Sequence, residues 1–141
     1  MGIRVVLDTS VIVAGLRSRK GSSFQLLKRV EQGMLTPVLS VALVLEYEAV
    51  LKREADHVGL TVQDVDDFVD SLCSAGDLRQ VHFLWRPQLR DPNDEFVLEV
   101  AVESGCGVIV THNIRDFAAV ERLGVRAVKP AEFLRTMGGK E

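Results

Sequence analysis

Continuous apolar runs alternate with amphipathic stretches along the whole chain. Ile3-Arg4-Val5-Val6-Leu7 and Gly107-Val108-Ile109-Val110 are short and almost wholly apolar, as strands buried on both faces of a sheet are. Thr36 to Leu39, Leu78 to His82 and Val125 to Val128 read as three more strands. Helical segments lie between them, and Gly33, Gly76, Gly105 and Gly124 each follow one, where a left-handed cap is expected. Thr61-Val62-Gln63-Asp64 has the form of a capping box, with Asp in place of the usual Glu or Gln. The helix it opens runs to about Ala75, with Val65, Phe68, Val69 and Leu72 on one face. Strand and helix therefore alternate, which predicts a three-layer α/β/α sandwich around a central parallel, doubly wound sheet of about five strands. The helices Val41 to Arg53 and Thr61 to Ala75 follow each other with no strand between. They form a hairpin whose apolar faces serve the core by default, or a dimer contact.

Composition narrows the class. The 141 residues suffice for one domain with a real core, and 47% hydrophobic with 26% charged is ordinary for a globular chain. No apolar run is long enough to cross a bilayer. The first apolar run meets Asp8 too early for a signal peptide. Cys73 and Cys106 stand in no metal-ligand spacing and read as small buried residues near helix ends, so a reducing cytoplasm is the expected location. The net charge of −3 speaks weakly against a nucleic-acid partner. That objection shrinks if a set of carboxylates is neutralised by bound cations. Arg17, Arg19 and Lys20 form one local basic group, and Lys52 and Arg53 another; each alone reads as solvated surface charge.

Four acids stand where packing gives them no role. Asp8 closes the first strand in Val-Val-Leu-Asp-Thr-Ser-Val. As a cap it would be replaceable, since Ser10 could cap the following helix as well. Glu46 interrupts a helix whose apolar stripe comprises Leu39, Leu43, Val50 and Tyr47; a lone carboxylate beside that stripe is costly unless paired or metal-bound, or else it reaches water along the helix flank. Asp94 lies in Asp91-Pro92-Asn93-Asp94-Glu95. Capping explains Asp91 there, and the helix dipole explains acids in the first turn. Asp116 lies in Thr111-His112-Asn113-Ile114-Arg115-Asp116-Phe117, where Asn113 or Asp116 can equally be a cap. His112 reads as a lone surface histidine. The four are far apart in sequence, but an open parallel sheet gathers its sites at the carboxyl ends of its strands. A carboxylate cluster there repels itself unless it holds cations.

Asp-Thr-Ser-Val after the first strand, Leu-Glu-Tyr-Glu, Asp-Pro-Asn-Asp-Glu-Phe-Val-Leu-Glu-Val-Ala and Thr-His-Asn-Ile-Arg-Asp-Phe, in that order, resemble the PIN-domain nucleases. The resemblance extends to the closing Val-Lys-Pro-Ala-Glu-Phe-Leu and covers nearly the whole chain, as a single PIN-like domain over residues 1–141. It is greatest for the branch of toxin components of toxin–antitoxin pairs, relatives of the VapC toxins. It implies a catalytic and metal-binding centre at Asp8, Glu46, Asp94 and Asp116. Thr9, Ser10, Asp91, Thr111 and Asn113 would support that centre. Many relatives carry Asp in a Thr-Gly-Asp triplet where this chain has Asn113. Others carry Thr-Arg-Asn followed by Asp-Phe, and this chain follows that second form, with Asp116 as the ligand.

The activity so implied is Mg²⁺- or Mn²⁺-dependent hydrolysis of RNA phosphodiesters by an endoribonuclease, leaving a 3′-hydroxyl and a 5′-phosphate. Hard oxygen ligands suit these ions, and no His or Cys cluster points to zinc. Expected partners are an RNA substrate, a small antitoxin protein and a second copy of the chain in a homodimer, with no membrane. Two alternatives compete. One is a PIN-like binding module without catalysis. The other is a phospho-receiver, suggested by Lys129-Pro130 after the last strand; against it, Thr9 and Ser10 follow Asp8 where a second acid is needed, and Phe83-Leu84-Trp85 stand where the phospho-accepting Asp is needed.

Overall fold

The computed structural model describes residues 2–81 and 92–138. Five strands form one sheet: β1 (Ile3–Leu7), β2 (Leu35–Leu39), β3 (Asp77–Leu78), β4 (Val108–Val110) and β5 (Arg126–Val128). Their order is β3-β2-β1-β4-β5 and every pairing is parallel. β1 is central, and Val5, Val6 and Leu7 are fully buried, as a run that is apolar on both faces requires. The helices are α1 (Thr9–Arg17), α2 (Ser22–Glu31), α3 (Val41–Val58), α4 (Val62–Ala75), α5 (Pro92–Ser104) and α6 (Pro130–Gly138), with a run of 3₁₀ turns over Ile114–Leu123.

The strand order dictates the layers. From β1 through β2 to β3 the chain steps toward one edge of the sheet; β4 and β5 are then added on the other side of β1. Right-handed crossovers put the helices of these two excursions on opposite faces. Accordingly α1 packs against α2 and α3, and α3 against α4, while α5 lies against β1, β2 and β4. The direction reverses between β1 and β4, where an open α/β sheet forms its crevice. A phospho-receiver has the order 2-1-3-4-5, so this topology excludes that alternative.

The α3–α4 hairpin serves the core. Its buried residues are Leu43, Tyr47, Leu51 and Ala55 on α3, and Val65, Val69 and Leu72 on α4. The expected α3 stripe is corrected in two respects: Leu39 ends β2 and precedes the helix, and Val50 is only half-buried, so the buried line runs every four residues from Leu43 to Ala55. The helix also continues past Arg53 to Val58, where Gly59 ends it at φ 77°. Ser40 caps its start by accepting the Leu43 N–H at 3.1 Å. The Thr61–Asp64 capping box forms with both of its hydrogen bonds, 3.0 and 2.9 Å.

Three further expectations change. β3 is two residues long rather than the run from Leu78 to His82. It is an edge strand, and its partner β2 ends at Leu39, so the ladder closes once the Arg79 N–H reaches the Leu39 carbonyl at 2.7 Å; His82 lies outside the described residues. Gly33, Gly105 and Gly124 take the expected left-handed φ, but Gly76 has φ −94°. A Cβ at Gly76 would stand 2.5 Å from Leu39 Cδ1 and 2.8 Å from the Pro37 carbonyl oxygen, so this glycine serves close approach of α4 to β2. Cys73 is exposed and Cys106 half-buried, because Cys73 falls past the edge of the buried Val65–Val69–Leu72 stripe.

These roles separate by mutation. Gly76→Ala should cost about 1–3 kcal/mol through overpacking. Gly33→Ala, whose Cβ would meet open space, should cost only about 1 kcal/mol for its left-handed φ. Urea midpoints measure both, and a larger loss at Gly33 would contradict the packing role of Gly76.

Candidate functional site

Asp8 follows β1 at the point where the sheet changes direction and is buried, 4% exposed. Its backbone N–H bonds the Val110 carbonyl of β4 at 2.9 Å. Although it occupies the N-cap position of α1, its side chain makes no capping bond. Oδ2 instead accepts the Ser10 hydroxyl at 2.6 Å and the Thr111 hydroxyl at 2.7 Å. Each hydroxyl is held in turn. Ser10 Oγ accepts the His112 N–H at 3.2 Å, and the fully buried Thr111 Oγ1 accepts the Asn113 N–H at 2.8 Å. The clasp therefore ties the ends of β1 and β4 together and fixes the plane of one carboxylate. Oδ1 accepts no hydrogen bond from the described residues.

Tyr47 holds α3 against this point. Its phenol is buried and donates to the Leu7 carbonyl, one residue before Asp8. Burial raises the Tyr47 pKa well above its ordinary value, and the nearby Asp8 charge raises it further. Glu46 is the preceding residue, half-buried at the flank of the stripe. It shares one line of α3 with Val50 and Glu54, each one turn further along.

Asp94 stands half-buried in the first turn of α5, a helix that packs on β1, β2 and β4 and also touches α3. Two other acids of α5 carry more weight than the sequence suggests. Glu95 is buried, 7% exposed. Glu99, one turn on, has its pKa raised by burial and then by the charge of Glu95. Their spacing of four was the available signal. Asp91 lies outside the described residues.

Asp116 is exposed in the run of 3₁₀ turns, and its N–H bonds the Asn113 carbonyl at 3.0 Å. The Asn113 side chain makes no capping bond. Asp116 belongs to an open cleft of about 620 Å³ lined by His112, Asn113, Ile114, Arg115 and Lys129. A second cleft, of about 550 Å³, is lined by Thr9, Ser10 and Arg17 of α1, Val50 and Glu54 of α3, and again His112. The His112 ring is held where the clefts meet by a 2.7 Å hydrogen bond between Nε2 and Ser23 Oγ. A lone surface histidine is all that local sequence shows at 112, because its partners come from residues 10 and 23.

The nine residues expected at the site thus fall into groups. Asp8, Ser10, Thr111 and the Asn113 backbone are brought together by hydrogen bonds, with Thr9 and Ser10 also lining a cleft. Glu46 and Asp94 lie on helices that touch each other, and Asp116 lies apart in its own cleft. Among the described residues, no group of three or more His, Cys, Asp or Glu side chains stands close enough to hold a metal ion. The donor set still suits a hard divalent cation. Asp8 offers an oriented carboxylate with an oxygen to spare, and Mg²⁺ keeps several waters, taking one or two carboxylates and substrate phosphates rather than a closed protein cage.

With this geometry in view, the comparison with known families is direct. The family model for the PIN domain matches residues 4–115, from β1 into the first of the 3₁₀ turns that follow β4, and the chain belongs to that family. PIN domains are generally nucleases and commonly use divalent metals. The matched span contains Asp8, Glu46, Asp94 and Thr111, and ends just before Asp116. No curated protein matches the chain.

Tyr47→Phe tests the anchoring of α3. It should cost about 1–2 kcal/mol at neutral pH, through loss of the bond to the Leu7 carbonyl. Because the folded pKa is raised, the wild-type phenol contributes stability below its unfolded pKa of about 10 and loses it as pH rises beyond that value. Denaturation midpoints measured between neutral and alkaline pH should therefore decline less for the Phe variant; parallel declines would refute the burial of the phenol.

Proposed function

We propose that this protein is a metal-dependent endoribonuclease, the toxin of a toxin–antitoxin pair. One observation carries the reading: a buried Asp8 at the sheet's switch point, held by two hydroxyls, one of which, Ser10, lines an open cleft that meets a second at His112. Capping would have used that carboxylate on α1 N–H groups, and it does not.

In this reading Asp8, Glu46, Asp94 and Asp116 hold Mg²⁺ or Mn²⁺, directly or through water. The ion, when bound, supplies positive charge against the developing charge of the phosphodiester and lowers the pKa of an attacking water. The remaining work falls to the chain. Ser10 and Thr111 keep the Asp8 carboxylate from rotating, and their own donors, His112 N–H and Asn113 N–H, keep the hydroxyl protons directed at Asp8. Tyr47 keeps the Glu46 turn of α3 against the end of β1. Such preorganisation is what electrostatic catalysis requires, since no reorganisation is then needed as charge develops. A cytoplasmic location, a homodimer and a small antitoxin partner accompany the proposal. No helix among the described residues is long and apolar enough to cross a membrane. A neighbouring short reading frame encoding a DNA-binding segment with a basic tail would support the toxin role.

Asp8→Asn and Asp94→Asn should each lower Mg²⁺-dependent cleavage of single-stranded RNA by at least about 100-fold while melting within a few degrees of wild type. Full cleavage by both variants would sink the assignment. Mn²⁺ titration by calorimetry separates the catalytically silent alternative: an intact site gives heat that Asp8→Asn removes, a silent scaffold gives little from the start.

A further inference from the structure

The two clefts of the site share one residue, His112, and each carries basic side chains that make no ion pair with the described residues. In the first these are Arg115 and Lys129, beyond β4 and β5; in the second it is Arg17, at the end of α1. All three are exposed. They contrast with the other cations near acids: Arg4 and Arg79 are spent on Asp77, Lys28 on Glu31, and Lys52 on Glu48 and Asp66. Between the two basic ends lies His112, whose backbone N–H is bound by Ser10 of the Asp8 clasp. These three cations form a line through the two clefts, interrupted by Asp116 and Glu54, in a chain whose net charge is −3.

We infer that this line is the path of a single RNA strand, which enters over Lys129 and Arg115, passes the fixed ring of His112 and leaves past Ser10 along α1 to Arg17. The inference deepens the nuclease reading and rests on it for the identity of the polymer. α1 spans nine residues, a rise of about 13 Å, and two strand spacings of about 4.8 Å separate the ends of β1 and β5. The cations therefore stand on the order of 20 Å apart, which a strand of several nucleotides is needed to bridge. Open clefts lined by Val13, Ala14 and Val50 on one side, with phosphate-binding cations at both ends, suit an unpaired strand whose bases lie against apolar surface. Because both ends of the path are held, the scissile bond is internal to the bound strand, which favours endonucleolytic cutting over trimming from an end.

The test is binding of a fluorescein-labelled oligouridylate of about twelve nucleotides, within the usual range of single-strand site sizes. Fluorescence anisotropy follows it across a NaCl series, using the full chain carrying Asp8→Asn in Mg²⁺ and wild type in EDTA. Arg17→Glu and Lys129→Glu should each weaken binding by about tenfold and lower the salt slope by about 0.7 for each phosphate no longer neutralised. Arg135→Glu, an exposed cation on α6, should change it less than about twofold. Binding unaffected by either Arg17→Glu or Lys129→Glu overturns the path, and so does equal affinity for a fragment too short to span both cations. The two readings fail separately. If the wild type cuts RNA while neither cation matters, the nuclease stands without this path. If Arg17 and Lys129 both bind the strand but no RNA is cut, the path stands without the nuclease.

Discussion

The carboxylate of Asp8 is shared between two strands that are a hundred residues apart in sequence, and the site depends on that sharing. Thr111 and Ser10 both donate to the same oxygen. The first comes from the end of β4, the second from the first turn of α1. A buried carboxylate is tolerated only when it is hydrogen-bonded, and two hydroxyl donors meet that requirement without adding charge. An Arg or Lys partner would have satisfied Asp8 equally well and spent its negative charge. Hydroxyls leave its negative charge unspent, and in the proposed function that charge is what a divalent cation would meet.

The fold delivers these partners because β1 is both central and fully apolar. A strand with Val5, Val6 and Leu7 buried on both faces belongs in the middle of a sheet covered by helices. The chain leaves it in one direction through α1 to α4, and returns to its other side through α5. The reversal leaves a crevice at the carboxyl ends of β1 and β4. Tyr47 then ties α3 to the end of β1, and α3 and α5 touch, so Glu46 and Asp94 stand on two neighbouring helices. The opposite end of the sheet is joined by an unrelated network in which Arg4 bridges Asp77 of β3 and the Ser104 carbonyl at the end of α5. There the Asp77 carboxyl is held below its ordinary pKa, by Arg79 first and Arg4 after it. Paired charge stabilises that end, whereas at the site end neutral hydroxyls hold Asp8.

Charge placement matters more than the net charge of −3 for the proposed strand path. Total charge is a poor guide when acids and bases are sorted in space. Lys28 and Lys52 sit in ion pairs with their neighbours on helix surfaces, and such exposed pairs contribute little to stability but do cancel in the far field. Outside those pairs stand Arg17, at the end of α1, and Arg115 and Lys129, beyond β4 and β5, in the two clefts that meet at His112.

Much of this was legible in the sequence, for identifiable reasons. Local signals sufficed for what depends on neighbours in the chain: the buried strands β1 and β4, the capping box at Thr61, the left-handed Gly33, Gly105 and Gly124, and Asp8 at the end of a strand. The four ordered acidic motifs sufficed for the family. Features that depend on contacts between distant segments needed the folded chain. β3 stops at Leu78 because β2 stops at Leu39. Gly76 is a glycine because Leu39 and Pro37 press on it, not because of its φ. Asp8 is no cap because Thr111 holds its side chain from across the sheet, and His112 has a place because Ser10 and Ser23 lie on either side of it. By itself the sequence determined the elements and the acids at their ends, since periodicity and capping act over a few residues. Tertiary structure alone decided which carboxylate is oriented and which cations stand clear of the ion pairs among the described residues, since both depend on partners that only packing brings within hydrogen-bonding reach.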